Sequence, residues 1–222
     1  MMNDWKLGIK MMRYGYGIKT NCIVGGITVV LGIGAAVLGG ISGNMFPADY
    51  MMLVVGMLPV QVLFSLNITG MVQASPGKKR LQTRIPALIN FSVMTVVYLA
   101  EILISGIILL IQPQSREGMG KNLLLMAVLM AAIMLYTGVA YKYFIISSLC
   151  VVPVICIGLS GGIIGDSRLT DFLAIDISLG QAVAAGLALL IAGALGQYLI
   201  SLLIYRAPLD KMGQVAPLRR LM

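Results

Sequence analysis

Apolar residues in this chain come in long unbroken runs, not in the alternating or every-third-residue patterns of a soluble strand or helix. Six runs stand out, at about 21–43, 50–73, 87–111, 123–141, 144–164 and 179–205. Each is close to the roughly 20 residues that an α-helix needs to cross a bilayer. The last two-crossing stretch before the C-terminal run, 123–164, holds Lys142 as its single charge. It divides into a hairpin at Tyr141-Lys142-Tyr143, where a cation between aromatic rings suits the membrane–water interface. Pro59 predicts a kink in the second run. The pattern predicts an all-α membrane protein: an amphipathic N-terminal interfacial helix, then six transmembrane helices with both ends on one side.

The polar remainder sets those ends. Residues 1–20 hold Trp5, Tyr14 and Tyr16, with Lys6, Lys10 and Arg13 at i, i+4, i+7, so the three cations share one helical stripe. Such a segment reads as a helix lying on the cytoplasmic surface; a disordered basic tail is the plainer alternative. A cleaved signal peptide fits less well, because its n-region would be unusually long. Between the second and third runs, Ser75-Pro76-Gly77-Lys78-Lys79-Arg80 continues to Arg84 and Pro86. Counted on alternate sides of the six spans, the 16 basic residues split 13 to 3. That asymmetry places both termini, including the tail 206–222, in the cytoplasm of a multi-pass protein of the cell membrane.

Composition agrees and narrows the function. Of 222 residues, 59% are hydrophobic and 11% charged, with mean hydropathy +0.96; soluble domains carry roughly 25% charge. Six spans leave no room for a second domain. The net charge of +8 does not point to nucleic acid, which needs a charged face on a folded domain. Cys22, Cys150 and Cys156 lie inside apolar runs without paired spacing and are expected to act as small packing residues. Histidine is absent, which removes the commonest metal ligand and general base. No phosphate-binding G-x-x-x-x-G-K-[ST] occurs and the spans hold no aspartate pair. The chain is expected to be neither an enzyme nor a holder of a metal or cofactor.

Polar residues within the spans are the remaining candidates. Asn90, Tyr98, Glu101, Ser105 and Gln112 project within about 80° of one another on a helical wheel, so this stripe must face protein or water. It either lines a translocation path or subunit interface, or is structural, with Glu101 protonated or hydrogen-bonded to a neighbouring helix. No Lys or Arg lies at its depth, so an ionic partner would come from another subunit or the substrate. Gln61, Ser65 and Thr69 form a lesser stripe in the second span. Ala184, Ala188, Ala192 and Gly196 recur every four residues in the sixth, a small-residue face for packing within the chain or against a second copy. The 75–86 loop is short, basic and bracketed by prolines, suited either to dock into a cleft on a soluble partner or simply to fix topology.

This layout resembles the permease subunits of ABC-2 type transporters over nearly the whole chain. The features shared are an amphipathic helix before the first span, six spans with both termini inside, and a loop between spans two and three of the form Ala74-Ser75-Pro76-Gly77-Lys78-Lys79-Arg80. Short helical excursions between the fifth and sixth spans, which Gly161 to Leu179 resembles, are a further likeness. The loop departs from the commoner Leu-Pro form. The resemblance implies that this six-helix half pairs with a second permease subunit, identical or a sister, and with ABC ATPase subunits that carry ATP and Mg²⁺. It further implies that Ser75, Pro76, Lys78, Lys79, Arg80 and Arg84 contact the ATPase, and that an amphiphilic substrate such as a peptide, drug or lipid passes between the halves. The competing readings are a substrate-binding membrane subunit of a vitamin importer or a small secondary carrier, and a non-transport immunity or assembly factor.

Overall fold

The computed structural model describes residues 2–13, 18–42, 51–58, 62, 75–111, 116–140, 143 and 177–206, and every regular element among these is helical. In chain order they are α1 (Met2–Met12), α2 (Ile18–Ser42), a helical segment at 51–58, α3 (Lys78–Gln82), α4 (Arg84–Ile111), α5 (Arg116–Ala140) and α6 (Leu179–Ile204). Four stretches among the described residues are long and apolar enough to cross a membrane: Ile18–Ala35, Lys78–Ile111, Met119–Ala140 and Leu179–Ile204. The chain is thus a helical membrane protein.

Helix ends follow local chemistry more closely than the apolar runs do. α4 begins at Arg84, not Ala87, because Pro86 fits in the first turn, where its missing N–H costs no helical hydrogen bond. Were α3 and α4 continuous, the Pro86 ring would press on the carbonyl of Gln82. The chain breaks there instead, at Thr83 (φ −117°, ψ −66°). α5 begins at Arg116, well ahead of the expected Leu123, since charged residues bound the hydrocarbon-embedded part of a helix without ending the helix itself. α6 starts at the expected Leu179 for a specific reason. Ser178 and Gln181 form a capping box, with Gln181 N–H donating to Ser178 Oγ (3.4 Å) and Ser178 N–H to Gln181 Oε1 (3.2 Å).

Packing fixes the directions of the helices. α5 and α6 make the most extensive interface and run parallel. Gly120 of α5 lies beside Ile177, Gly193 of α6 beside Ala131 and Met134, and Gly138 beside Gln197 and Ile200. α4 is antiparallel to α6, with Asn90 level with Gln197 and Tyr98 with Ala182. α2 is antiparallel to segment 51–58, Gly25 meeting Leu58 and Gly32 meeting Met51, while Gly26 and Gly34 face open space. The centre is a methionine-rich core in which Met94 of α4 joins Met126, Met130 and Met134 of α5, with Met52, Tyr98 and Leu190 around them.

Two expectations about small residues are met only in part. On α6 the packed face is Ala182, Gly186, Leu190, Gly193, Gln197 and Ser201, whereas Ala184, Ala188 and Ala192 are exposed. Steps of four residues drift by about 40° each around a helix of 3.6 residues per turn. Ala184, Ala188 and Ala192 therefore keep within about 80° of one another, on a single exposed face opposite the packed one. Gly196, at its edge, reaches α5 against Leu135, and of the two expectations for this face, packing within the chain is the one not met. Cys22 is exposed on α2 and is not packed among the described residues. Cys150 and Cys156 lie outside the described residues.

Candidate functional site

One end of the bundle gathers α1, α3 and the first turns of α4, together with the C-terminal turns of α5 and α6 that lie level with Asn90. The chain enters α3 through a tight turn. Lys78 N–H donates to the Ser75 carbonyl (3.0 Å) and Gly77 N–H to Ser75 Oγ (3.2 Å). With Gly77 at φ −84°, ψ 8°, this is a type I turn carrying proline at its second position. Leu81 N–H then donates to the Gly77 carbonyl (3.0 Å). Thr83 closes α3 by giving its N–H (3.0 Å) and its hydroxyl (2.7 Å) to the Lys79 carbonyl. Gln82 and Thr83 are buried, while Pro76, Lys79 and Arg80 are exposed. The segment 75–83 is thus a closed projection, its inner side seated and its basic side outward.

α1 is fastened to this projection. Asp4, only 1% exposed, forms ion pairs with Arg80, through Nη2 and Oδ1, and with Arg84, through Nε and Oδ2 at 3.3 Å. One turn later Gly8 lets α1 lie directly on α4, for a Cβ there would run into the side chains of Ile85 and Ile89. Met12 and Leu81 complete a small apolar cluster with Ile85 and Ile89. Both arginine side chains are about half exposed, at 51% and 49%, so water screens their share of the pairing. The buried carboxylate depends on them more than they depend on it.

The six loop residues expected to act together are therefore adjacent, but they divide into two groups. Arg80 and Arg84 hold Asp4; Lys78 and Lys79 carry no ion pair among the described residues. Sequence reasoning overlooked Asp4. The available signal was a lone acid in line with Gly8 and Met12, at i, i+4, i+8, opposite the Lys6-Lys10-Arg13 stripe. Those three cations are exposed, as the stripe required.

The polar stripe of α4 faces inward. Asn90 and Tyr98 are fully buried, Glu101 is 2% and Ser105 7% exposed. Asn90 Nδ2 donates to Gln197 Oε1 at 2.9 Å. The Tyr98 hydroxyl donates to the Ala182 carbonyl at 3.2 Å, and its ring occupies the space over Gly186 that any Cβ would fill. Gln197 and Ser201, buried at i, i+4 on α6, were not among the expected residues. Their spacing in an otherwise apolar helix was the usable sign. Gln61, Ser65, Thr69 and Gln112 lie outside the described residues.

Compared with protein-family models, curated proteins and solved structures, the chain matches none.

Proposed function

We propose that the chain is the permease subunit of an ABC-2 type transporter, moving an amphiphilic substrate across the cell membrane with energy from a separate ATPase. The observation that carries this reading is the closed projection 75–83, which presents Lys78 and Lys79 at the basic end and is joined both to α1 and to a membrane-crossing helix. A loose topogenic loop would need neither its turn nor its buried Gln82 and Thr83. The parallel run of α5 and α6 adds support, because the chain between them leaves at one end of the bundle and re-enters at the other. That placement of the end of α5 and the start of α6 is compatible with the six spans expected and with termini that share the cytoplasmic face.

In this reading an ATPase subunit grips α3 from the cytoplasm, binding ATP and Mg²⁺ itself. Movement of α3 on nucleotide binding passes through Thr83 into α4 and through Arg80 and Asp4 into α1. From α4 it reaches the middle of the bundle, since Asn90 and Tyr98 bind α4 to α6. The substrate would cross between this half and a second permease subunit.

The test is purification of the tagged chain from its own membranes with its companions identified by mass. A phosphate-loop ATPase should co-purify, and Lys78→Glu with Lys79→Glu should reduce its recovery by about an order of magnitude. Arg80 is left alone because it also serves Asp4. Undiminished ATPase recovery by that variant, or labelling of Lys79→Cys from outside intact cells, would refute the proposal.

A further inference from the structure

α1 has three distinct faces. Asp4 and Gly8 are buried toward α3 and α4. Lys6, Lys10 and Arg13 point the opposite way, all exposed and without an ion pair among the described residues. Trp5 and Leu7, 47% and 39% exposed, sit on the two edges between. From Lys6 to Arg13 the stripe is about 10 Å long at 1.5 Å per residue. The one acid of α1 is Asp4, on the far face, so nothing on the helix itself neutralises the stripe.

A cationic face edged by an exposed indole matches the headgroup layer of a membrane, where Trp settles and Lys and Arg reach phosphates. The surroundings agree. α1 rests on the first turns of the membrane-crossing α4, and the chain enters α2 at Ile18, soon after Arg13. An acidic protein surface would satisfy the charges but would leave Trp5 and Leu7 without a role.

We infer that the Lys6-Lys10-Arg13 face of α1 binds anionic lipid headgroups and that Asp4, on its reverse side, transmits this occupancy to the 75–83 projection. The carboxylate that fastens α1 to α3 is on the same short helix as the lipid-facing cations. Holding α1 at the membrane surface thus holds Asp4 in place, and Asp4 holds Arg80 and Arg84. Each cation near an anionic surface favours it by about fivefold, so three give on the order of 100-fold preference over a neutral bilayer. The regulatory consequence, that membrane charge sets how firmly the ATPase-docking projection is held, rests on the permease reading; the lipid binding does not.

Hydrogen exchange on the full chain, in nanodiscs of phosphatidylcholine alone and with about 30% phosphatidylglycerol, separates these claims. Anionic lipid should slow amide exchange several-fold in α1 and in residues 78–83. Lys6→Gln, Lys10→Gln and Arg13→Gln together should remove both responses. Asp4→Asn should keep the response of α1 and lose that of 78–83, whereas Asp4→Glu should keep both. Equal exchange in the two lipids, or a triple variant that retains the lipid response, would overturn the inference. So would a triple variant that loses its ATPase with no lipid dependence in the parent, which would make the face a protein contact. Because the readout needs no ATP hydrolysis, its failure leaves the permease proposal standing, and absence of an ATPase leaves the lipid response standing.

Discussion

The Tyr98 hydroxyl meets the Ala182 carbonyl at 3.2 Å because Gly186, one helical turn further along α6, has no side chain where the tyrosine ring lies. Gly186→Ala places a methyl group on that ring, so it should lower the unfolding midpoint in detergent far more than Tyr98→Phe does. The latter removes one interhelical hydrogen bond, worth about 0.6 kcal/mol in a membrane bundle. Tyr98→Ala should be costly alone, yet Gly186→Ala should cost little in its presence. Additive losses in that double-variant cycle would show that the two residues do not share a space.

Asn90 and Gln197 should behave as a coupled pair for a different reason, a single 2.9 Å hydrogen bond in a fully buried setting. Asn90→Leu or Gln197→Leu alone leaves a buried amide without its partner, at about 1–3 kcal/mol. The double variant, apolar on both sides, should recover part of that loss in a thermal-stability assay. A double variant as unstable as the sum of the singles would contradict the pairing.

Much of this interior could be anticipated from the residues. A few polar groups in a long apolar helix reveal its phase, which is why Asn90, Tyr98, Glu101 and Ser105 were expected on one inward face. The start of α6 at Leu179 was expected from the apolar run, and its cause, the Ser178–Gln181 capping box, emerges only from the structure. Asp4 was different: its phase with Gly8 and Met12 shows that it faces away from the cation stripe, but its partners Arg80 and Arg84 are distant in the chain, and nothing periodic names them. α6 was ambiguous in a third way. Two opposite faces of it offer small residues, so composition could not rank Ala184, Ala188 and Ala192 against Ala182, Gly186 and Gly193, and only the placement of α4 and α5 shows which of the two packs within the chain.

That distinction is open to a paired glycine scan. Gly26→Ala and Gly34→Ala, with nothing within 4 Å of the added carbon, should be neutral or slightly stabilising, as alanine is the better helix former by about 1 kcal/mol. Gly193→Ala and Gly138→Ala would set a Cβ 3.0 Å from Ala131 Cα and 3.1 Å from the Gln197 carbonyl oxygen. Both contacts are to backbone, which cannot step aside. These two variants should reduce the folded fraction recovered in size-exclusion chromatography, and equal recovery across all four would argue against the parallel α5–α6 seam.

Removing the Asp4 carboxylate should loosen α1 without unfolding the bundle. With both arginines half exposed, the loss is about 1 kcal/mol, roughly a fivefold rise in the detached population. Trypsin should then cut Asp4→Ala about fivefold faster than the parent after Lys6, Lys10 and Arg13. High salt should raise the parent's rate toward the variant's, because screening weakens the same ion pairs. A cleavage rate the same in Asp4→Ala as in the parent, and a parent rate indifferent to salt, would mean that α1 is held by its apolar contacts alone.

The thioether seam between α4 and α5 has a mechanical consequence. Met94, Met126, Met130 and Met134 are unbranched and polarisable, and can refill a changing gap by choosing new torsions where Leu or Ile would jam or leave a void. An interior lined this way gives up some uniqueness of packing and gains compliance. Helices that must tilt past one another repeatedly can do so without breaking open the bundle each time.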